Sequence, residues 1–433
     1  MKSLLAASIS ILLISCSFEN TSINIKEGMG KNPTLPSPDI ETIPTVSIAK
    51  AIGWENGAKP AVAAGLKINA FSKNLDHPRW IYTLPNGDVL VAESNAPANP
   101  DAGFSLRGFF AKKIMKEAGA GVKSPDRITL LRDADKDGVA ELQTIFAENL
   151  TSPFGMVLVD NNLYIANADA LVKFNYTDGM TEVNEDYTKV VDLPAGINHH
   201  WTKNVIAGHS GNLFVTVGSN SNVGENGMDI EKDRATILEV NPNTKTYSVY
   251  ASGLRNPNGM VIEPNTGVLW TVVNERDQLG GDLVPDYLTS VQEGGFYGWP
   301  YYYYGNHVDS RIESPDPELI NKSIKPDYAL GSHTASLGLL NANNSHLTTD
   351  FSEGMFVAQH GSWNREPKSG YKVIYIPFTD GKPSGESIDV VTGFLNENEE
   401  ALGRPVGLAL DQNGSLLVAD DVGNTIWRIS KNQ

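Results

Sequence analysis

The chain has 433 residues, 51 acidic against 34 basic side chains, a net charge of −17 and 40% hydrophobic residues. That supports a sizeable core, in one large domain or two to three ordinary ones, and excludes a general nucleic-acid-binding surface. Forty glycines and 24 prolines suit a turn-rich β protein.

The N-terminus carries Met1 and Lys2, then an apolar run from Leu4 to Ile14, then LISC ending at Cys16. This is the layout of a bacterial lipoprotein signal peptide over residues 1–16. Cleavage before Cys16, the one cysteine of the chain, makes it the lipidated N-terminus. The apolar run is short for a membrane span, so acyl chains are expected to anchor the protein. Ser17, rather than Asp, after the cysteine points to the outer membrane and a periplasm-facing position in the cell envelope. With no second cysteine the mature fold has no disulfide. Residues 17–60 are polar and Pro-rich (KNPTLPSPDIETIPTVS) and predict a flexible tether.

From 61 to 433 one phrase recurs: a Pro, a short apolar strand, a turn containing Gly or Asn, and a second apolar strand. It stands at 77–94 (HPRWIYTLPNGDVLVAES), 152–174, 204–219, 256–275 and 404–429, with a looser copy at 353–378. The turn dipeptides NG, NN, SG and TG are hairpin signals. Repeated several-strand units predict an all-β fold, a six-bladed β-propeller. Two insertions interrupt it. Residues 95–125 contain GFFAKKIMKEAGAG, a short amphipathic helix. Residues 300–348 read as loop, with the aromatic run WPYYYYG. Insertions of this kind decorate the face where ligands sit.

The motifs that carry chemistry follow in chain order. Asp133, Asp135 and Asp137 alternate before Gly138, with Glu141 beyond, a carboxylate set suited to a structural Ca²⁺ or to a solvated acidic hairpin. It is not an EF-hand, because Thr144 stands where the bidentate Glu is needed. His199 and His200 open an alternating strand, a place from which a histidine can serve as general base. Arg255 and Asn256 precede a Pro turn and offer a guanidinium and an amide to an anionic ligand. The stretch Asn274 to Asp277, with Gly280, Gly281 and Asp282, offers carbonyls and acids to Ca²⁺. FYGWP (296–300) is either a sugar-binding floor or a packed loop. His360, Arg365 and Arg404 stand just before further strands. Equivalent strand ends of a propeller share one central mouth. Arg255, Arg365, Arg404, His200 and His360 gathered there on an acidic protein predict a polyanionic ligand.

These phrases together resemble the PQQ-dependent sugar dehydrogenases, in their L-sorbosone dehydrogenase-like branch, and more distantly soluble PQQ glucose dehydrogenase. The resemblance covers most of residues 70–429. It implies a propeller holding PQQ over its mouth with Ca²⁺ beside the quinone. It puts the general base on His200 and the quinone-contacting pair on Arg255 and Asn256. It assigns the backbone ligands of the cofactor Ca²⁺ to Arg276 and Asp277, and the PQQ carboxylate contacts to Arg404, His360 and Arg365. Electrons would pass from a sugar or sugar-derived aldehyde to an acceptor in the envelope. His199 stands where the glucose enzyme has an acidic residue, and His360 where a lysine is expected, so glucose specificity is not carried over. A Ca²⁺-dependent lactonase-type hydrolase and a non-catalytic propeller binding a glycan or a protein also fit a chain of this build.

Overall fold

The computed structural model describes residues 20–40, 45–97 and 116–432. The signal peptide with Cys16, and most of the helix expected in the first insertion, lie outside these residues.

Six antiparallel sheets form a β-propeller. Each begins with an innermost strand: Pro78–Thr83, Met156–Val159, Val205–Ala207, Asn256–Ile262, Ser336–Asn341 and Pro405–Leu410, for blades 1 to 6. Second strands pair outward at Val89–Glu93, Asn162–Ala166, Leu213–Val217, Leu269–Asn274, Gly354–Gln359 and Leu416–Asp420. Blade 6 is completed by Leu66–Ser72, which pairs with Thr425–Lys431 near the C-terminus. The chain thereby closes the ring on itself and leaves no open edge between first and last blades.

The core consists of apolar layers between neighbouring blades. Leu213, Val215 and Val217 pack with Leu171, Tyr164 and Val205, and Met355 and Val357 with Val272 and Leu288. A second strand is sandwiched on both faces, which is why these strands are apolar throughout rather than alternating. The recurring Gly in the first strand has a steric cause. A Cβ on Gly259 would lie 2.5 Å from the backbone nitrogen of Leu339, and one on Gly338 would collide with the Val406 carbonyl. Inner strands crowd the axis, and only Gly admits the next one.

Three expectations are corrected. Residues 20–40 and 45–60 are not a free tether: they dock on the propeller. Met29–Gly30 pairs with Tyr328–Ser332, the Asp39 amide donates to the Leu279 carbonyl, and Ala49 is fully buried. Their apolar residues dock singly, so no period marks them. Residues 300–348 are not all loop: they hold the outer strand of blade 4, Tyr328–Ser332, and the inner strand of blade 5, Ser336–Asn341. Their junction turns at His333 and Ala335, both with positive φ, without a hairpin dipeptide. Consequently the looser repeat at 353–378 supplies the second and third strands of blade 5, not the first and second.

Candidate active site

In an antiparallel blade the first strand begins and the second ends on the same face. His200 lies ahead of Val205–Ala207, Arg255 just before Asn256–Ile262, and His333 just before Ser336–Asn341. Gly218 to Ser221, Glu275 to Asp277, and Ser362 to Asn364 follow second strands. Between them lies a cavity of about 570 Å³ lined by His199, His200, Arg255, Asn256, Glu275, Asp277, His333 and Asn364 on its polar side. That size suits a small-molecule site.

His200 is held by backbone. Its Nδ1 lies 2.8 Å from the Ser219 carbonyl and 3.1 Å from the Ser219 hydroxyl. A carbonyl only accepts, so Nδ1 carries the proton and Nε2 keeps its lone pair. Burial, then the Arg255 cation, holds His200 well below the ordinary histidine range, so the ring is neutral at pH 7. A backbone carbonyl thus does the orienting for which a carboxylate was expected. His199 packs edge-on against His200, with ring centroids 4.7 Å apart, and stays exposed at the rim. Gly218 is required beneath: a Cβ there would lie 2.6 Å from that of His200 and collide with Asn256 Oδ1.

Two buried cations that the motifs did not single out brace the His200 loop. Arg234 donates to the carbonyls of Pro194 (3.0 Å) and Ala195 (2.7 Å), to Asn198 Oδ1 (2.9 Å) and to the Gly218 carbonyl (3.1 Å). Lys203, pulled down to about 7 by burial, donates to the Ala168 carbonyl at 2.6 Å. Lys203 stands just ahead of Val205–Ala207, so the strand-start signal was available for it; Arg234 stands just ahead of Thr236–Asn241, a third strand that the repeated phrase does not include. Arg234→Met should slacken the loop and raise the His200 pKa, because the Arg234 cation contributes to lowering it. NMR titration of the histidine Cε1 protons checks this; Arg234→Lys, which keeps the charge, should leave the titration nearer the parent. Misplacing a base by an ångström costs up to about 10²-fold in rate.

Arg255 is buried and donates to the Glu275 carbonyl (2.6 Å), the Asn222 side chain (3.0 Å) and carbonyl (3.2 Å), and weakly to Asp277 (3.4 Å). Burial opposes the charge of Asp277, but His333, Arg255 and Asn364 outweigh it and hold its carboxyl at about 2. His333 was not singled out by any motif. Its Nδ1 faces Asp277 at 3.4 Å and its Nε2 donates to the Gly280 carbonyl at 3.1 Å. Burial disfavours its charge, yet the Asp277 carboxylate raises its pKa above the ordinary value. The signal was available: like Arg255, His333 stands at the start of a first strand. Asp286, pushed up to about 6 by burial, ties blades 4 and 5 together at this face by accepting from the Glu275 and Ser336 amides.

The remaining predicted cations do not converge on this cavity. Arg365 is spent on the carbonyls of Gly281 (3.1 Å) and Pro367 (2.6 Å) and on Asp282. Asp282 also accepts from Ser22 and Ile23, so the Gly280 to Asp282 stretch is internal structure. Arg276 is fully buried among Glu275, Asp309 and the carbonyls of Pro300 and Tyr302. The Asp277 carbonyl already accepts from Arg311 (2.7 Å) and Asn222 (3.1 Å), so Asp277 faces the cavity as a carboxylate, not as a free carbonyl. His360 and Arg404 belong to an adjoining cluster. His360 Nε2 donates to Asp421 at 2.8 Å, a carboxylate shared with Arg79 and His77. Burial takes His360 down to about 4, so it is neutral. Arg404 lies over the Tyr371 ring at 5.0 Å. The His360 amide donates to the carbonyl of Ala335, a cavity residue, which makes the two sites neighbours.

Asp133, Asp135, Asp137 and Glu141 do come together, with ligand oxygens within 4.8 Å of one another. They sit on the hairpin between Arg127–Arg132 and Leu142–Ala147, the two outer strands of blade 1. Tyr297, Trp299 and Tyr302 to Tyr304 are buried, and Trp299 donates to the Asn222 carbonyl at 2.9 Å. These aromatics are packed core and not a sugar floor.

Residues 165–359 match the Glucose / Sorbosone dehydrogenase family model, and residues 308–432 match a TrAA12-like model. The chain is similar to an uncharacterized protein of Borreliella burgdorferi, 29% identical over 301 residues, covering 65% of this chain and 76% of that one. It is similar to the aldose sugar dehydrogenase YliI of Escherichia coli, 26% identical over 172 residues, covering 35% of this chain and 44% of that one. Its fold is similar to the holo PQQ domain of pyranose dehydrogenase from Coprinopsis cinerea, with a TM-score of 0.67 at 19% identity, covering 89% of this chain and 100% of that domain. The six blades and these matches agree: the chain is similar to the glucose/sorbosone dehydrogenases over residues 165–359, and its fold is that of the sugar dehydrogenase propellers.

Proposed function

We propose that this protein is a PQQ- and calcium-dependent dehydrogenase that oxidises a sugar or sugar-derived aldehyde, with His200 as general base. The observation that carries the proposal is the His200 ring itself: neutral, proton fixed on Nδ1 by the Ser219 carbonyl, and set in a cavity beside Arg255 and Asn256.

The side chains suit the group the family uses. Asn256 Oδ1, Glu275 Oε1 and Asn364 Oδ1 are buried oxygens with no hydrogen-bond partner among the described residues, and all three residues line the cavity. With the Asp277 carboxylate they form an oxygen-rich set of the kind a hard cation takes. On the adjoining side the Nε atoms of Arg79 and Arg404 are buried donors without a partner among the described residues, suited to carboxylates. Asp277, Glu275, Asn256 and Asn364 would therefore hold Ca²⁺, and Arg404 and Arg79, rather than Arg365, would face PQQ carboxylates. When bound, PQQ supplies a two-electron acceptor and Ca²⁺ a Lewis acid.

The chain does the rest. His200 Nε2 takes the proton of the substrate hydroxyl, or of a hydrated aldehyde. Ser219 keeps that nitrogen unprotonated beforehand and stabilises the ring once it is charged. The Arg255 cation, balanced in part by Asp277, stabilises negative charge that develops in the cavity, and the Asp277 carboxylate favours the charged form of His333 beside it. Lipidation at Cys16 would place the enzyme on an envelope membrane, with an electron acceptor in the same compartment.

The test is reconstitution of the protein with PQQ and Ca²⁺, desalting, and dye reduction with a panel of aldoses and sugar aldehydes. Retained quinone absorbance and turnover are expected. Loss of the cofactor on desalting, without turnover, would leave a glycan- or protein-binding propeller as the better account.

A further inference from the structure

The segment ahead of the propeller crosses the mouth and supplies part of the cavity wall. The Ser47 amide donates to the Trp363 carbonyl at 2.7 Å, and its hydroxyl meets Glu366 and Lys368. The Ala401 amide donates to the Lys50 carbonyl at 2.8 Å, and the Ala51 amide to the Glu117 carbonyl at 2.8 Å. Arg404 reaches the Ala49 carbonyl at 3.4 Å, and Ala49 is fully buried. Between these anchors, Val46 and Ile48 line the same cavity as His200 and Arg255. Trp363 is exposed at the cavity rim.

The cavity lining is therefore of two kinds. Part of it is the cations, amides and carboxylates described above. The rest is Val46, Ile48, Trp363 and two alanines, Ala118 and Ala335, whose side chains offer neither donor nor acceptor apart from the Trp363 indole. A fully hydroxylated sugar turned toward that wall loses hydrogen bonds to water and gains none. A methyl group or bare C–H face loses nothing there and buries apolar area.

Resting on the proposed function above, we infer that residues 46–48 are a specificity wall of the active site. They select sugars with an apolar edge, deoxy sugars above all, over their fully hydroxylated parents. An apolar pocket rejects an added hydroxyl by about 10²-fold at most, so the preference in kcat/KM is about 10- to 100-fold.

The holoenzyme is tested with pairs differing in one hydroxyl, L-fucose against L-galactose and L-rhamnose against L-mannose. A higher kcat/KM for the deoxy member is expected, carried mainly by KM. The double substitution Val46→Thr, which keeps the shape, with Ile48→Thr, which is one heavy atom smaller, should move the ratio toward unity. Equal constants for both members of each pair, or a ratio untouched by the double substitution, would overturn the inference while leaving the dehydrogenase intact. A second measurement does not need turnover: quenching of tryptophan fluorescence by the same sugars in protein without cofactor, with Trp363→Phe identifying the signal. Tighter binding of the deoxy member, weakened in the double variant, supports the wall even if no sugar is oxidised. Equal binding, or none, counts against it.

Discussion

His200→Ala is expected to lower kcat by about 10²- to 10⁴-fold, the usual contribution of a general base, while PQQ absorbance stays with the protein after desalting. The asymmetry follows from the contacts. Among the described residues the His200 ring bonds only to Ser219, whereas the groups suited to cofactor and cation are Asn256, Glu275, Asp277, Asn364, Arg79 and Arg404. The pH profile gives a second check. An unperturbed histidine base would lose activity as pH falls through about 6.5. Burial and the Arg255 cation depress the His200 pKa, so the ring stays unprotonated to lower pH. The acid limb of kcat/KM should therefore lie below the ordinary histidine range. Undiminished turnover in His200→Ala would shift the base to another group, and His199, edge-on at 4.7 Å, is the first to test.

Arg276→Met should destabilise the fold by about 3–5 kcal/mol, the cost of breaking one side of a buried ion pair. Its guanidinium is fully buried between Glu275 and Asp309 and also donates to the carbonyls of Pro300 (2.6 Å) and Tyr302 (2.7 Å). Removing it strands two buried carboxylates and two carbonyls at once. The damage should reach the cavity, because Asp309 also holds Arg311, which donates to the Asp277 carbonyl. Chemical denaturation followed by tryptophan fluorescence reads the first effect, and PQQ retention the second. A residue acting only through its carbonyl would tolerate Met with little change. An unshifted denaturation midpoint would show that the buried ion pairs of Arg276 add little to stability; the carbonyl role that the resemblance implies for Arg276 does not depend on its side chain.

Much of the propeller is legible in the amino-acid sequence. Each hairpin is local: the strands of HPRWIYTLPNGDVLVAES flank their own turn, and alternation with Asn-Gly punctuation declares both partners. His200, Arg255 and Asn256 are legible for the same reason, since they stand at the starts of first strands and all first strands begin at one face. Blade 5 is the exception that explains the rule. Its first strand, Ser336–Asn341, joins blade 4 through a turn at His333 and Ala335 that carries no hairpin dipeptide. Neither the strand nor the cavity histidine beside it is announced by a local signal.

The amino-acid sequence by itself determined the repeat, the number of blades, the face on which chemistry is gathered and several of the residues gathered there, His200, Arg255, Asn256 and Asp277 among them. Tertiary structure alone decided which cations line the cavity. Arg255 does, whereas Arg365 turns to Gly281 and Asp282 and Arg276 to Pro300 and Tyr302, groups distant in the chain. It also decided how His200 is oriented, because the acceptor is a main-chain carbonyl, and every residue has one of those. And it laid Val46 and Ile48 in the mouth. A hydrogen-bond partner across the ring, or a docking site for a single apolar side chain, leaves no period and no motif in the chain. It exists only once the six blades have closed.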